Sequence, residues 1–399
     1  MKLKVLSLIT AIVLTHSTYA VTIETDHPWY LAGEAMRVSV KADEVSTVYA
    51  ELCDTYGMVA GIVISLQEGL GRGVIELPAD LHSGYYVLSA YTRDNTLVSH
   101  RLVAVVNALR KSVDDDIEWL PADSCWTAAD GTAALVSEKT ADIRETDGHI
   151  VKAHIQNVYD GQTFKGSQIC PSLSIVGKQI HYFEGEMTND STAVFRTYGI
   201  HGKLPLVLSA KSSSGVNLPV RIISPFAVLL PKRLPHLVFH YERSEVEARS
   251  IAMQRHQMTM PSATLLEYDE TVLGTEPDLS YNLDEYRQFL TVREVLVEYV
   301  SYVKNAKVNG VPQLFVSKEQ GDYMTFLPTL VLIDGMPVSD IERLLNYDAR
   351  RIHHINIYGN QYSFGHGLYN GILSFVSRSG QLTNYATEQG MQYLEYVFP

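Results

Sequence analysis

Residues 329–383 hold the tightest folding constraint in the chain: TLVLIDGMPVSDIERLLNYDARRIHHINIYGNQYSFGHGLYNGILSFVSRSGQLT. Leu330, Val331, Leu332 and Ile333 are an unbroken apolar run stopped by Asp334-Gly335, as expected of a strand buried on both faces and closed by a turn. A helix should follow, because Ser339 or Asp340 can N-cap it and Ile341, Leu344 and Leu345 repeat at helical spacing. His354-Ile355-Asn356-Ile357-Tyr358 alternates like a second strand. Gly371-Ile372-Leu373-Ser374-Phe375-Val376 reads as a third, reached through a loop rich in glycine and tyrosine.

This order of strand, Asp-Gly-x-Pro turn, helix, strand, glycine loop and Asn-Gly-Ile strand resembles the plug domain of TonB-dependent outer-membrane receptors. LVLIDGMPVSDI and LYNGILSFVSRSG carry the likeness, with Asp334, Gly335, Pro337, Asp340, Asn370 and Gly371 as its motif positions. The resemblance implies a small α/β module over residues 323–399, in the envelope of a Gram-negative cell. A receptor of that family continues from its plug into a long transmembrane barrel, and the resemblance here covers the plug module alone.

At the other end, Lys2 and Lys4, the apolar stretch from Val5 to Leu14 and the small-residue end Thr18-Tyr19-Ala20 have the form of a secretory signal peptide over residues 1–20. Its apolar core is shorter than the roughly 20 residues a membrane-spanning helix needs, so the mature chain is expected to be exported, periplasmic or associated with the outer membrane, with no transmembrane span. A net charge of −13 and no clustered Lys and Arg argue against a nucleic-acid partner. Cys53, Cys125 and Cys170 are too few and too scattered for a disulfide framework or a zinc site, and no structural disulfide is expected.

Residues 21–108 are short β segments punctuated by Gly and Pro. Val38, Val40, Val48, Ala50 and Leu52 fall on alternate positions, as do side chains around Val74, Ile75 and Leu77, which argues for an antiparallel sandwich. Tyr30-Leu31-Ala32-Gly33-Glu34 and Ser83-Gly84-Tyr85-Tyr86-Val87-Leu88-Ser89-Ala90-Tyr91-Thr92 make this stretch similar to a macroglobulin-type β-sandwich. The Cys-Gly-Glu-Gln thioester of protease-trapping macroglobulins is missing, so the resemblance does not imply that chemistry. Residues 109–147, with Asp114-Asp115-Asp116, Trp119 and Trp126, show no sustained period and read as a linker. The aspartates lack a glycine-turned cation loop.

Strand signals return over residues 148–230. Gly148-His149-Ile150, Leu173-Ser174-Ile175-Val176-Gly177-Lys178 and Ser224-Pro225-Phe226 resemble, in order, the transthyretin-like domain that accompanies carboxypeptidases, implying a second small sandwich. His181 and Glu184 have the H-x-x-E spacing of metallocarboxypeptidase ligands, but on a strand these positions point to opposite faces. His236 and His240 would share a face on a helix, yet lack the glutamate of H-E-x-x-H. No metal site and no cofactor is expected.

Residues 231–322 read as a helical connector, with one helix over 242–257 and another over 283–304 carrying Tyr286, Phe289, Leu290, Val295, Leu296, Tyr299 and Val300. Thr291 and Glu294 have capping-box spacing. The fold class expected is therefore mainly β and multidomain: two antiparallel β-sandwiches, a helical segment and a small α/β plug-like domain. No G-x-S-x-G, H-E-x-x-H or phosphate-binding glycine loop is present. The expected function is a non-enzymatic envelope protein whose plug-like domain docks a protein partner, such as an outer-membrane barrel receptor, in receptor or nutrient-uptake function. The alternative is a protease-inhibitor-like or hydrolase-associated cell-surface protein. Tyr358, Tyr362, Phe364 and Tyr369, on the glycine-tyrosine loop, are the candidate partner surface, because tyrosine offers contact area at low entropy cost; the competing reading is that these rings simply cover the small sheet.

Overall fold

The computed structural model describes residues 21–94, 98–108, 117–121, 135–136, 145–146, 148–177, 180–259, 273, 275–308, 310–317, 327–364, 367–379, 385 and 387–399. The expected signal peptide, the acidic triplet Asp114 to Asp116, Cys125 and Trp126 lie outside these residues. The protein is mainly β and multidomain, with short helices set between sheets.

The first sandwich pairs a three-stranded sheet (Thr22–Thr25, Ala35–Lys41, Leu70–Glu76) with a five-stranded one. The latter runs in the order Trp29–Leu31, Val98–Val106, Gly84–Tyr91, Thr47–Cys53, Met58–Ser65. Met36, Val38 and Val40 alternate inward as the period-two pattern requires and meet Val48, Ala50, Leu52 and Leu88 in one core. Thr47–Cys53 departs from simple alternation, since it is buried at every position. Its second face is covered from a distance: Tyr49 and Tyr91 pack with Leu229 and Phe226. Glu51 accepts hydrogen bonds from Tyr91 Oη at 2.8 Å and from the backbone N–H of Val228 at 3.0 Å, with a third from Leu229.

The second sandwich faces the sheet Glu186–Met187, Thr192–Thr197, His149–Ile155, Val220–Ile223 against the sheet His181–Glu184, Ile169–Ile175, Gly202–Ser212, Gln392–Phe398. Its last strand comes from the far end of the chain. Gln392–Phe398 pairs antiparallel with Gly202–Ser212 from Gly202↔Phe398 to Leu208↔Gln392, placing Tyr396 and Phe398 in the core with Phe195 and Leu206. The expected boundary of a separate module over 323–399 is therefore crossed by a strand that belongs to the neighbouring sandwich.

The third unit is a five-stranded sheet in the order Leu279–Asn282, Ile352–Phe364, Gly367–Ser377, Leu330–Ile333, Met336–Pro337. Leu330–Ile333 is buried throughout and runs parallel to its neighbour, Leu330↔Ile372 through Ile333↔Phe375. Helices Val292–Glu298 and Ile341–Leu345 lay Val292, Val295, Leu296, Ile341, Leu344 and Leu345 on Ile333 and Phe375. Val176 and Val207 of the second sandwich join the same core.

The connector is less helical than its periodicity predicts. The first helix forms, over Arg243–Thr259, and docks on the first sandwich where Arg249 bonds Glu34 at 2.7 Å and lies 4.0 Å from the Trp29 ring centroid. The second does not extend over 283–304. Leu283–Glu285 is a single 3-10 turn, the α-helix is confined to Val292–Glu298, and Val303–Val308 is a strand paired with Val311–Val316. Thr291 explains the start: its extended backbone cannot continue a helix from the N-terminal side, and its capping box with Glu294 opens a new one. His236 and His240 do not share a helix, for strand Leu237–Tyr241 begins between them. That strand pairs in parallel with Ile117–Pro121, inside the expected linker.

Candidate functional site

The motif positions of the C-terminal module are scaffold atoms, each committed to a contact within the chain. Asp334 ends the buried strand with φ +47° and Gly335 follows at +90°, the left-handed pair that the Asp-Gly turn needs. Asp334 is 1% exposed. Burial pushes its carboxyl above the ordinary range, while hydrogen bonds from Ser377 Oγ and Ser377 N, at 2.6 and 2.7 Å, pull the other way. Gly335 meets the second sandwich closely enough that a Cβ would lie 2.9 Å from the Ile175 carbonyl oxygen. Pro337 pairs with Leu332.

Asp340 caps the helix, accepting from Arg343 N at 3.0 Å. Its own N–H and that of Ser339 donate to Glu388 Oε1 at 2.9 Å each, tying the helix start to the segment that leads into the last strand. Asn370 donates its N–H to Pro328 O at 2.9 Å and accepts from Thr329 Oγ1 at 3.1 Å. Gly371, at φ +86°, is where strand Val311–Val316 crosses the sheet: a Cβ there would meet Val316 Cγ2 at 2.0 Å.

The candidate partner surface requires correction. The stretch from Tyr358 to Tyr369 is the distal part of a β-hairpin, with Gln361↔Asn370 and Phe364↔Gly367 in register. Tyr358 is fully buried. Tyr362, Phe364 and Tyr369 pack on Ile180, Tyr182, Leu330 and Ile372. Phe364 meets Tyr182 edge-on at 5.5 Å, and the hydroxyls of Tyr182 and Tyr369 lie 3.2 Å apart. Tyr369 Oη donates to Glu184. The tyrosines thus bind the second sandwich of their own chain, because a hairpin this apolar finds strand His181–Glu184 beside it. Glu184, expected not to share a metal with His181, is engaged by that tyrosine. Among the described residues no group of three His, Cys, Asp or Glu side chains is placed to hold a metal ion.

Sequence reasoning missed a buried ionic cluster where the two sandwiches meet. Arg93 ends the Ser-Gly-Tyr-Tyr strand of the first, His149 opens the second, and Glu145 precedes it. Arg93 Nη1 lies 3.1 Å from Glu145 Oε1, with side chains 2% and 1% exposed. Tyr49 Oη and the Ile150 N–H each donate to the same carboxylate at 2.7 Å. His149 Nδ1 is 3.3 Å from Glu145, and its Nε2 is 2.7 Å from Tyr396 Oη on the last strand. Burial pushes the Glu145 carboxyl up, but the His149 hydrogen bond and the His149 and Arg93 charges outweigh it and hold the group below its ordinary range. Among the described residues this carboxylate is almost fully buried and ties residues of both sandwiches together. The only hint in sequence is an arginine closing an otherwise apolar strand.

No protein-family model and no curated protein matches the chain. Among solved structures it is similar to an Escherichia coli alpha-2-macroglobulin activated by porcine elastase, at 13% identity over 54% of this chain and 20% of that one, TM-score 0.21. It is also similar to the Escherichia coli adhesin FdeC, at 10% identity over 56% of this chain and 65% of that one, TM-score 0.20. The third is a Salmonella enterica SafA pilin in complex with the SafB chaperone, at 10% identity over 51% of this chain and 97% of that one, TM-score 0.16. The match covers less than two thirds of the macroglobulin and adhesin chains, and at these scores none of the likenesses fixes a family or an activity.

Proposed function

We propose that this chain is a non-enzymatic, exported envelope protein in which two β-sandwiches, the first of macroglobulin type, carry a plug-like module that docks a protein partner. The setting is an outer-membrane receptor or nutrient-uptake system. The observation that carries the reading is one of the several places where large apolar side chains are left exposed. Leu290, Val297, Val308 and Val311 are all exposed, Val297 by 75% and Leu290 by 64%, and all fall within residues 290–311 at the entry to the module. The core beside them is already closed by Val292, Val295 and Leu296. Exposed aliphatic side chains gathered on one short stretch mark an interaction surface more often than singly scattered ones do. The non-enzymatic part rests on the sequence, which has no hydrolase or phosphate-binding motif. Among the described residues no helix is long and apolar enough to cross a membrane, which leaves spanning by strands unaddressed.

A photo-activated cross-linking residue at Val297 tests docking in intact cells, with the same residue at Tyr56, 93% exposed on the first sandwich, as the comparison. A discrete protein adduct from Val297 and none from Tyr56 is the expected result. Failure of Val297 to cross-link, with the protein present in the periplasmic or outer-membrane fraction, would remove the docking surface. Recovery of the protein in the cytoplasm would remove the envelope assignment.

A further inference from the structure

The second sandwich is discontinuous in sequence. Its other strands lie within residues 149–223, and the last, Gln392–Phe398, arrives only after the chain has built the C-terminal sheet. Just ahead of that strand, the buried Glu388 reaches two bodies at once. Its Oε1 accepts from Ser339 N and Asp340 N of the C-terminal module, while Oε2 accepts from Asn217 Nδ2 of the second sandwich at 3.2 Å. Gly390 O then accepts from Val220 N at 3.0 Å, and Gln392 Oε1 from Ile222 N at 2.6 Å.

At its far end the same strand enters the joint between the sandwiches. Tyr396 Oη lies 2.7 Å from His149 Nε2, the two rings stack at 5.7 Å, and Phe398 meets His149 edge-on at 6.1 Å. The other ring nitrogen faces Glu145, which holds Arg93 and Tyr49 of the first sandwich. With Nδ1 committed there, the Tyr396 hydroxyl serves Nε2 as donor or acceptor, whichever the ring requires. Burial pushes that hydroxyl above its ordinary range, so it keeps its proton. A phenylalanine in its place would leave Nε2 buried beside an apolar edge.

Direct contacts therefore run from Ser339 and Asp340 through Glu388, the last strand, Tyr396, His149 and Glu145 to Arg93. Contiguity becomes coupling when an element on the path has two discrete arrangements. Gln392–Phe398 is such an element. Among the described residues it stands at the sheet edge with one strand neighbour, Gly202–Ser212. Its period of two seats Tyr396 and Phe398 together, and a slip of one residue turns both out of the core. We propose that Gln392–Phe398 is a latch: seated while the C-terminal module holds Glu388, it closes the joint between the sandwiches through Tyr396, and a shift of the module that withdraws Ser339 and Asp340 unseats it and loosens the joint. The latch goes beyond the docking function proposed above and acts whether or not a partner docks.

Hydrogen exchange of the full chain, read by mass spectrometry, tests the latch from both ends of the path. Glu388→Ala should speed exchange at the Ile150 amide by about tenfold, although the Glu388 carboxylate bonds Ser339, Asp340 and Asn217 and not the joint. Glu388→Gln keeps one acceptor oxygen, so it should act in the same direction and more weakly, and it replaces the alanine variant if that one does not fold. Tyr396→Phe should speed Ile150 as well. Tyr393→Thr, on the exposed side of the same strand, should not. Coupling is reciprocal, so Glu145→Gln should speed exchange at Ser339 and Asp340. Strand Gly84–Tyr91, in the core of the first sandwich, reports global unfolding and should be accelerated less than Ile150. Equal acceleration of that strand and Ile150, an unchanged Ile150 in the Glu388 variants or in Tyr396→Phe, or unchanged Ser339 and Asp340 in Glu145→Gln would each overturn the latch.

Discussion

Replacing Glu145 by glutamine should loosen the joint between the two sandwiches more than any surface change could. Its carboxylate receives Arg93 at 3.1 Å, Ile150 N at 2.7 Å and Tyr49 Oη at 2.7 Å, all within a region where both charged side chains are almost fully buried. An arginine cannot shed its proton, so Glu145→Gln leaves the buried Arg93 guanidinium without its carboxylate, with the Tyr49 hydroxyl and the Ile150 carbonyl among its neighbours. Breaking a buried pair by removing one partner costs about 3–5 kcal/mol, against about 1 kcal/mol or less for an exposed pair. Denaturant unfolding of the full chain should register the loss, and hydrogen exchange should show reduced protection at the Ile150 amide. Adding Arg93→Met removes the stranded charge, so the double variant should recover about 1–3 kcal/mol relative to the sum of the single changes. Additive effects, or a loss below about 1 kcal/mol, would show that the cluster is not a coupled lock. The pH dependence has a definite sign. Because the folded protein holds Glu145 below its ordinary range, the stability this group contributes is present above the unfolded carboxyl pKa of about 4.3 and is lost as pH falls through the folded value. Glu145→Gln should flatten that acid limb.

Ile333→Asp places a carboxylate at a position with no solvent exposure, and the C-terminal sheet should lose several kcal/mol, about the whole margin of a small domain, becoming protease-sensitive near residue 329 in limited proteolysis with mass mapping. Gln392–Phe398 should loosen with it, since Glu388 ties that strand to the helix start; an intact C-terminal fragment would argue that Leu330–Ile333 is not the core. Gly371→Ala adds a methyl 2.0 Å from Val316 Cγ2 at a left-handed φ, so a loss of about 2 kcal/mol or more is expected in thermal melts. Asp334→Asn should be neutral or stabilising by up to about 1 kcal/mol at neutral pH, because it keeps an acceptor for Ser377 N–H without a buried charge. Burial raises the folded-state pKa of Asp334, so this group's contribution is fully present below the unfolded value and is lost as pH rises through the folded one. The variant should therefore melt with less dependence on pH across that window.

What the sequence determined by itself was whatever is decided within a few residues. The unbroken run Leu330 to Ile333 could only be a strand covered on both sides, Asp334-Gly335 supplied the left-handed turn, and Asp340 and the Thr291–Glu294 box set helix starts through hydrogen bonds spanning three residues. Partnership was left to tertiary structure. Alternation in Gln392–Phe398 gives it one apolar face, but nothing local says that the face belongs to the sandwich of Gly202–Ser212 and not to the adjacent module. The tyrosines of the distal hairpin read either as a partner surface or as a cover for the small sheet, and Tyr182 and Glu184 brought beside them decide what they face. Repeating aromatics over 283–304 imitate a single helix, although rings clustered around Tyr299 need only to converge in space, and an extended segment with a short helix achieves that as well. Arg93 and Glu145 carry the same lesson in charge. Each alone is an ordinary polar residue, and only burial in a common low-dielectric joint makes their separation of 3.1 Å consequential. Periodicity reports which way a side chain faces, and a partner distant in sequence decides what it faces.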